Sequence, residues 1–419
     1  MIDPNLPQQS FSSSSTSLDV PDEAVREMQK IEVGRRGRAL YVYDAHAGFE
    51  LQSELDYLSN RAMEPNVFFS GQFLAPALPR LEEKQIRLAI LRDTDGRNRA
   101  RFLIPFSVER PGLGLASPIM RVWANHFAPL GTPLIDAEEA AESIDNVFEA
   151  LANTTAGLPQ VLVIPDLKVN RPAAQLIRAI AMSRNLTIAT TDERERPMLE
   201  SLLDGEAYMS ESLSSKHNHE MRRQWRKLSE KGEVAYNVAR QPRDVLKRME
   251  EFLLLESSGW KGKEKTALTI DRLRSAFARE AIYNLAQADK VRIHTIDLDG
   301  QAIASLIVFL SAGEAYTWKT AYNEAYSDCS PGKILMSKVT EWHLDDANIV
   351  RTDSLAVPDH PVMSRLWRER DAMATLIIGL NPGRDRDVRQ IASQLHLYQN
   401  TRDVARKLRD RIMSLRGRR

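Results

Sequence analysis

The sequence contains a single cysteine, Cys329, and no apolar run long enough to cross a lipid bilayer. One cysteine excludes an internal disulfide and is typical of proteins in a reducing compartment. The longest apolar runs, Leu306–Leu310 and Leu376–Leu380, fall far short of the roughly 20 residues that a spanning helix requires. The first residues lack a basic segment followed by an apolar one, so no secretory signal is expected. These absences predict a cytoplasmic protein.

The chain also lacks an excess of charge of either sign, because 57 lysines and arginines balance 57 aspartates and glutamates. Zero net charge argues against nucleic acid or an anionic membrane as a partner of the whole surface. The hydrophobic content of 43% and the charged content of 27% are ordinary for a globular protein. A length of 419 residues is enough for two or three domains.

Motifs for metal or nucleotide binding are absent or incomplete. His217 and His219 are two positions apart, so on a helix they face different directions, and neither a cysteine pair nor an HExxH sequence accompanies them. We therefore expect no metal site. The segment Ser330–Lys333 resembles the end of a Walker A loop, but position 327 is serine and position 334 is isoleucine. Both the glycine and the magnesium-binding hydroxyl of that motif are missing.

One order of predicted elements occurs twice along the chain. Helices are followed by an antiparallel meander, a helix, a strand, a helix and a final strand. Both meanders turn on Asp-Gly, at Asp95-Gly96 and at Asp299-Gly300. The repeat predicts an α/β protein with two domains of one fold, over residues 36–205 and 206–385.

The two ends of the chain differ in composition from this body. Residues 1–35 contain a serine run, prolines and acids with few large apolar residues, which predicts disorder. Residues 386–419 are predicted to form a basic C-terminal helix. An apolar stripe in this tail (Val404, Leu408, Ile412 and Leu415) favours docking on the body, and contact with a membrane surface or a partner protein is the alternative.

A helix start at Ser330-Pro331-Gly332 follows an aromatic strand pattern over residues 315–320. Serine is favoured at the N-cap, proline at the first helical position, and glycine where another group approaches the backbone closely. The first N–H groups of a helix point outward and carry a partial positive charge. This segment therefore predicts a phosphate site.

Three further segments are candidates for a site. The helix pattern Lys216–Lys231 places Arg222 and Arg226 one turn apart, either on a solvated face or on a wall that binds phosphates. Trp260 stands between two glycines beside Lys261, where it either buries itself against the body or covers a ligand. Asp353 lies on a predicted strand over residues 351–357. It is either exposed or directed into a cleft, where it would act as a general base or hold one in place.

The order of these segments resembles the CelD/BcsL-type acetyltransferases of the GNAT superfamily, which are related to the FemABX aminoacyl transferases. The resemblance covers about residues 40–385 and rests on the segments 66–69, 126–134, 213–232, 258–268 and 318–335. It implies two tandem GNAT-like domains, each with a mixed, mostly antiparallel sheet flanked by helices. The second would carry the chemistry. In that fold the pyrophosphate of the acyl carrier lies at the N-terminus of the helix after the fourth strand, here at Gly332, Lys333 and Ile334.

The sequence departs from this family in two places. Relatives often have a Gly-Asp-x-x-Tyr-Lys type segment after the strand that contains the aspartate. Here the residues after Asp353 include Ala356–Pro361 without the glycine, and Met363–Arg365 replaces the Tyr-Lys pair. The first half lacks an equivalent Ser-Pro-Gly helix start, so we expect it not to bind the acyl donor.

The resemblance implies transfer of an acyl group from acetyl-CoA or another acyl-CoA to an amine or hydroxyl. The acceptor would be small or glycan-linked, in polysaccharide or cell-envelope biosynthesis. The predicted site residues are Asp353, Glu256 and Tyr322 for proton transfer, Ser330, Gly332, Lys333 and Ile334 for the acyl carrier, and Trp260, Lys261, Lys319, Arg222 and Arg226 for the substrate. Two alternatives stay open: a non-catalytic scaffold that holds partners through its tail, and an aminoacyl transferase that uses aminoacyl-tRNA at the basic helix.

Overall fold

The structure, a computed structural model, describes residues 27–34, 37–81, 84–96, 98–111 and 117–398. The strands of the first half are β1 (Gln29–Glu32), β2 (Arg38–Asp44), β3 (Ile86–Asp93), β4 (Ala100–Glu109), β5 (Ile119–Val122), β6 (Leu134–Ile135), β7 (Val161–Lys168) and β8 (Ile188–Leu199). Those of the second half are β9 (Val234–Ala239), β10 (Val291–Leu298), β11 (Gln301–Ser311), β12 (Glu314–Tyr322), β13 (Arg351–Asp353) and β14 (Glu369–Gly379).

Helices precede and separate these strands in both halves. In the first half they are α1 (Ala47–Glu50), α2 (Gln52–Ser59), α3 (Gly71–Leu81), α4 (Ala140–Ala152) and α5 (Pro172–Ser183). In the second half they are α6 (Gly205–Ser212), α7 (Ser215–Ser229), α8 (Pro242–Ser258), α9 (Trp260–Lys263), α10 (Arg272–Gln287), α11 (Pro331–Asp345) and α12 (Met363–Leu366). Short 3₁₀ helices cover Val67–Phe69, Thr154–Ala156, Leu268–Ile270 and Glu324–Cys329. None of the described helices combines the length and the apolar composition that a bilayer crossing requires.

All the described strands belong to one sheet in the order β1-β2-β3-β4-β5-β7-β14-β8-β13-β12-β11-β10-β9, with β6 paired to β4. Within it, β5 pairs with β7 and β12 pairs with β13 in parallel, and the other pairs are antiparallel. Each half therefore has a meander followed by one parallel neighbour. This confirms the predicted fold class, a mixed, mostly antiparallel sheet flanked by helices.

The two halves exchange strands at the centre of the sheet. β14, the last strand of the second half, lies between β7 and β8 of the first half. β8 in turn pairs with β13 on its other edge. The predicted domains 36–205 and 206–385 thus share one continuous sheet, and the boundary between them stays a prediction.

Aromatic packing joins the halves outside the sheet as well. The ring of Phe73 on α3 meets Phe277 on α10 and Trp318 on β12, with centroids 5.3 and 6.2 Å apart. Phe73 and Phe277 are fully buried. Edge-to-face aromatic pairs stabilise a core beyond the area that they bury. The second half is therefore positioned by contacts with the first.

One strand of the second half is shorter than the sequence predicts. The strand predicted over residues 351–357 ends at Asp353, and the helix that follows it is limited to α12. The helix is short because Glu369–Gly379 enters the sheet as β14.

The predicted ends of the chain are described only in part. Gln29–Glu32, inside the segment predicted to be disordered, forms β1 and pairs with β2. Residues 1–26 lie outside the described residues. At the other end residues 385–398 are helical, and Val388 and Ile391 pack on β7 and β14. The apolar stripe predicted from Val404 onward lies outside the described residues.

Candidate active site

A cleft opens where two parallel strands part. β12 and β13 pair only from Glu314 to Tyr316 on one strand and from Arg351 to Asp353 on the other, although β12 continues to Tyr322. Beyond the last pair the strands enclose a cleft of about 660 Å³. This volume lies in the range of pockets that bind small molecules and cofactors.

Local side-chain hydrogen bonds end β13 at this point. The N–H of Leu355 donates to Oδ1 of Asp353 at 2.8 Å, and the N–H of Ala356 donates to Oγ of Ser354 at 3.1 Å. Such bonds turn the backbone and compete with strand pairing. Leu355 has a φ of 50°, in the left-handed region, which does not continue a strand. The predicted strand is therefore shorter than its apolar pattern suggests.

A bulge shapes the opposite wall of the cleft. The register between β11 and β12 shifts between Ile307, which faces Lys319, and Val308, which faces Thr317. Trp318 is left as the extra residue. A bulge bends its strand and changes the direction of its side chains, and here it lies where β12 leaves β13.

The cleft is mostly apolar, with a few groups that can bind or exchange protons. Its apolar residues include Leu255, Leu306, Trp318, Met336, Leu355, Val357 and Met363. Its ionisable residues are Glu256, Lys261, Tyr322, Lys333 and His360. The structure thus brings together these predicted site residues: Glu256, Trp260, Lys261, Tyr322, Ser330, Gly332 and Lys333.

Helix α11 begins at the edge of this cleft, but its cap differs from the prediction. Ser330 is the N-cap residue, yet its side chain makes no capping hydrogen bond, so the predicted cap is wrong. The reason is that Ser330 ends the preceding 3₁₀ helix, with its N–H bonded to Ser327 O at 3.0 Å and its φ at 51°. A side-chain cap normally requires an extended backbone at that position.

The amides at this helix start are not all available to a ligand. The N–H groups of Lys333 and Ile334 donate to Ser330 O at 3.0 and 3.2 Å. The N–H of Gly332 has no acceptor among the described residues. A Cβ at Gly332 would lie 3.5 Å from the ring of Tyr322. Gly332 is therefore the free donor of the predicted set, and the Ile334 side chain lines a separate groove.

Glu256 connects several segments that line the cleft. Its Oε1 accepts from Lys261 Nζ at 3.0 Å, and its Oε2 accepts from the N–H of Leu268 at 2.8 Å. Lys261 also donates to Thr320 O at 2.7 Å. Both carboxylate oxygens are thus used in tying α8 to the following turn and to β12.

Trp260 lies at the rim of the cleft in the one-turn helix α9, where the sequence suggested a loop. Its side chain is 45% exposed. Trp260 is therefore not buried against the body, which was one of the two interpretations of the sequence.

His360 lines the cleft and was missed from the sequence. Its Nδ1 accepts from the N–H groups of Val362 and Met363 at 3.3 and 3.2 Å. Burial lowers the pKa of His360, so the ring is neutral at pH 7 and carries its proton on Nε2. A single histidine in a loop forms no spacing pattern that would indicate a function. The one hint in the sequence was its position in the segment Ala356–Pro361, which differs from the family that the sequence resembles.

Asp353 lies outside the cleft, in a buried cluster of charges. It is 1% exposed, with its Oδ2 3.1 Å from Lys168 Nζ and 3.3 Å from a guanidinium nitrogen of Arg196. Burial raises the pKa of Asp353, but Lys168 and Arg196 outweigh this and lower it below its usual value. This placement does not favour the predicted role as general base.

The remaining predicted residues also lie outside the cleft. Arg222 lines a separate groove with α6 and α11, and Arg226 is exposed on α7. Lys319, next to the cleft on β12, covers the ring of Phe127. Lys227 on α7 is paired with a carboxylate of the protein itself, because its Nζ lies 2.8 Å from Asp328. Lys227 and then Lys231 lower the pKa of that carboxyl to about 2.

A comparison with protein families finds a match in the second half of the chain. Residues 215–354 match the family model described as an acetyltransferase (GNAT) domain. This region runs from α7 to the residue after β13 and contains most of the cleft. A search of curated proteins finds no match.

The fold is similar to several solved structures. The C-terminal domain (DUF2156) of a putative lysylphosphatidylglycerol synthetase from Agrobacterium fabrum has a TM-score of 0.50 and 12% identity, covering 84% of this chain and 96% of that one. FemX has a TM-score of 0.49 and 10% identity, covering 79% and 96%. A tandem GNAT protein from the clavulanic acid biosynthesis pathway has a TM-score of 0.39 and 12% identity, covering 82% and 99%. At these identities the likeness concerns the fold alone.

The second half therefore contains a region, residues 215–354, that is similar to the acetyltransferase (GNAT) domain. The more specific resemblance to CelD/BcsL-type proteins stays a prediction.

Proposed function

We propose that this protein transfers an acyl group from an acyl-CoA to an amine or hydroxyl in the cleft between β12 and β13. The observation that carries the proposal is the parting of these parallel strands beside the start of α11. The match of residues 215–354 to the GNAT acetyltransferase domain supports it.

The donor side of the cleft suits a pyrophosphate and a thioester arm. The free N–H of Gly332 and the partial positive charge of α11 attract the phosphates, and Lys333 at the same edge adds a full charge. The arm of the donor would then run between the separated strands, where Leu306, Met336 and Met363 form an apolar wall for the acyl group. The lining of the cleft thus offers positive charge for the phosphates and apolar surface for the acyl group.

The reaction is the attack of the acceptor on the thioester carbonyl. The new C–N or C–O bond forms, the C–S bond breaks, and the leaving thiolate takes a proton. Tyr322, beside Gly332, is our proton donor, with the Nε2–H of His360 as a second donor at the cleft. Glu256 accepts the proton of the acceptor through a bridging water, since both its oxygens are already bonded. Asp353 acts as a positioning residue that ends β13.

The finer identity of the acceptor rests on the family resemblance. A small or glycan-linked amine or hydroxyl in polysaccharide or cell-envelope biosynthesis remains our working choice. Trp260 and Lys261, which also line the cleft, would face it.

Calorimetric titration with CoA and acetyl-CoA tests the donor side. We expect both to bind, and the substitution Gly332→Leu to weaken CoA binding at least about tenfold, or about 1.4 kcal/mol, because its side chain enters the space beside Tyr322. Gly332→Ala is the matched control, since its Cβ makes an ordinary 3.5 Å contact. No heat with either ligand, from folded protein, would contradict the proposal and favour a non-catalytic scaffold.

A further inference from the structure

Two cations meet at the seam, which we define as the contact between residues 123–131 of the first half and β12. The Nζ of Lys319 lies 4.5 Å, and the guanidinium carbon of Arg274 lies 5.7 Å, from the ring centroid of Phe127. The indole N–H of Trp318 donates to Phe127 O at 2.7 Å. The first half therefore supplies a fixed aromatic surface, and the second half places both charges against it.

Neither cation has an acidic partner among the described residues. The nearby carboxylate of Glu256 is taken by Lys261 and by the N–H of Leu268. Contact with the Phe127 ring offsets part of the cost of half-buried charge, but a cation–π contact contributes only about 0.5–2 kcal/mol. An uncompensated charge away from water is unfavourable unless an anion joins it.

Of the neighbouring ionisable groups, Lys261 adds positive charge and His126 does not. Burial, with Lys261 next, lowers the pKa of Lys319 to about 8. Burial, with Lys319 and Arg274, lowers the pKa of His126 to about 4, so His126 is neutral. The lowered pKa of Lys319 therefore reflects its burial first and the neighbouring cations second.

We propose that Arg274 and Lys319 bind an anionic group of the acceptor, a phosphate or a carboxylate, at the seam. Arginine binds either group through two parallel hydrogen bonds, and lysine adds a point charge. The inference rests on the proposed function for calling the ligand an acceptor. The anion site itself rests on the two unpaired cations.

The position of this site suits an acceptor and not the acyl carrier. Lys319 stands between Trp318 and Thr320, which both line the cleft. Tyr322, beside Gly332 at the donor end, is three residues further along β12, a distance of about 10 Å. An anion at the seam would therefore leave the rest of an acceptor able to reach the cleft without competing for the start of α11.

Labelling with pyridoxal 5′-phosphate tests the site. Its aldehyde condenses with an unprotonated lysine amine, losing water, and borohydride then reduces the imine, while its phosphate needs a neighbouring cation. We expect peptide mass spectrometry to show faster labelling at Lys319 than at Lys290. Lys290 is a matched control because it is also partly buried, with burial lowering its pKa, but its Nζ is bonded to Asn60 at 3.0 Å.

Variants of Arg274 separate a built site from a merely reactive lysine. Arg274→Gln should lower labelling of Lys319 about tenfold, or about 1.4 kcal/mol, with labelling of Lys290 unchanged, whereas Arg274→Lys should retain most of it. Protection of Lys319 by inorganic pyrophosphate points to a phosphate ligand, and protection by citrate to a carboxylate. Labelling of Lys319 that is no faster than that of Lys290, or that ignores Arg274→Gln, overturns the inference.

The two proposals can fail separately. Gly332→Leu should weaken CoA binding and leave the labelling of Lys319 intact, and Arg274→Gln should do the reverse. If CoA does not bind but Lys319 is labelled through Arg274, the anion site stands without the acyl donor. If CoA binds and the labelling shows no dependence on Arg274, the donor site stands and the anion site is rejected.

Discussion

Substituting Lys168 by methionine should lower the free energy of unfolding by about 3–5 kcal/mol, the usual cost of removing one partner from a buried ion pair. Lys168 is 2% exposed, bonds to Glu314, and lies 3.1 Å from Asp353 and 3.9 Å from Asp371. Burial lowers the pKa of Lys168, but these three carboxylates outweigh it and raise that pKa above its usual value. Without the lysine, three buried acids would lose their shared cation.

Chemical denaturation of wild-type and variant protein measures this loss. Lys84→Met is the control, because Lys84 pairs with Glu109 at 2.9 Å on the exposed surface and such pairs contribute at most about 1 kcal/mol. The double variant Lys168→Met with Glu314→Gln should recover part of the stability, since it removes one of the stranded charges. A loss at Lys168 no larger than at Lys84 would show that the cluster does not hold the centre of the sheet.

Gly262→Ala should reduce acyl transfer about 100-fold while the protein stays folded. A Cβ at Gly262 would lie 1.8 Å from Ser257 O, a backbone atom that cannot rotate away. Helix α9 must therefore shift from α8, and with it Trp260 and Lys261, which line the cleft on the proposed acceptor side. A displacement of about 1 Å at a site can cost about 100-fold in rate.

The matched control lies in the same segment. At Gly259 the nearest atoms to an added Cβ are 3.7 Å away, so Gly259→Ala should behave like the unsubstituted protein. Thiol release from acetyl-CoA measures turnover. Hydrogen exchange at the amide of Leu268, which donates to Glu256, provides a second readout that needs no acceptor. Equal behaviour of the two alanine variants in both measurements would refute the prediction.

Local patterns predicted the elements well and their order in the sheet poorly. The turn at Asp299-Gly300 could be predicted because Asp-Gly favours the left-handed backbone that a tight turn between strands requires. The structure has φ values of 51° and 77° at these two residues. The apolar run within Glu369–Gly379 showed only that this strand is buried. A buried apolar strand can pair with many other strands, so nothing in its own sequence predicts that β14 lies between β7 and β8.

The candidate site residues also divide into those with a local signal in the sequence and those whose partners are distant in the chain. Gly332, Trp260 and Lys261 line the cleft, and the sequence could single them out because their signals are local, in a helix start and in a short glycine-flanked segment. Their functional roles stay predictions. Asp353 was assigned to proton transfer because its partners Lys168 and Arg196 come from distant strands, and no spacing in the sequence connects them. The predicted role of Lys319 in substrate binding stays a prediction, and its contact with Phe127 of the other half had no local signal in the sequence.

The late position of β14 in the chain has a consequence for biosynthesis. Until residues 369–379 have left the ribosome, the facing edges of β7 and β8 lack the strand that joins them. Open edges pair readily with other chains, and emerging proteins with such edges are prone to aggregate. The first half, although made first, therefore cannot complete its part of the sheet before β14 is made. A product truncated by premature termination before this strand is a substrate for chaperones and proteases, and not a functional fragment.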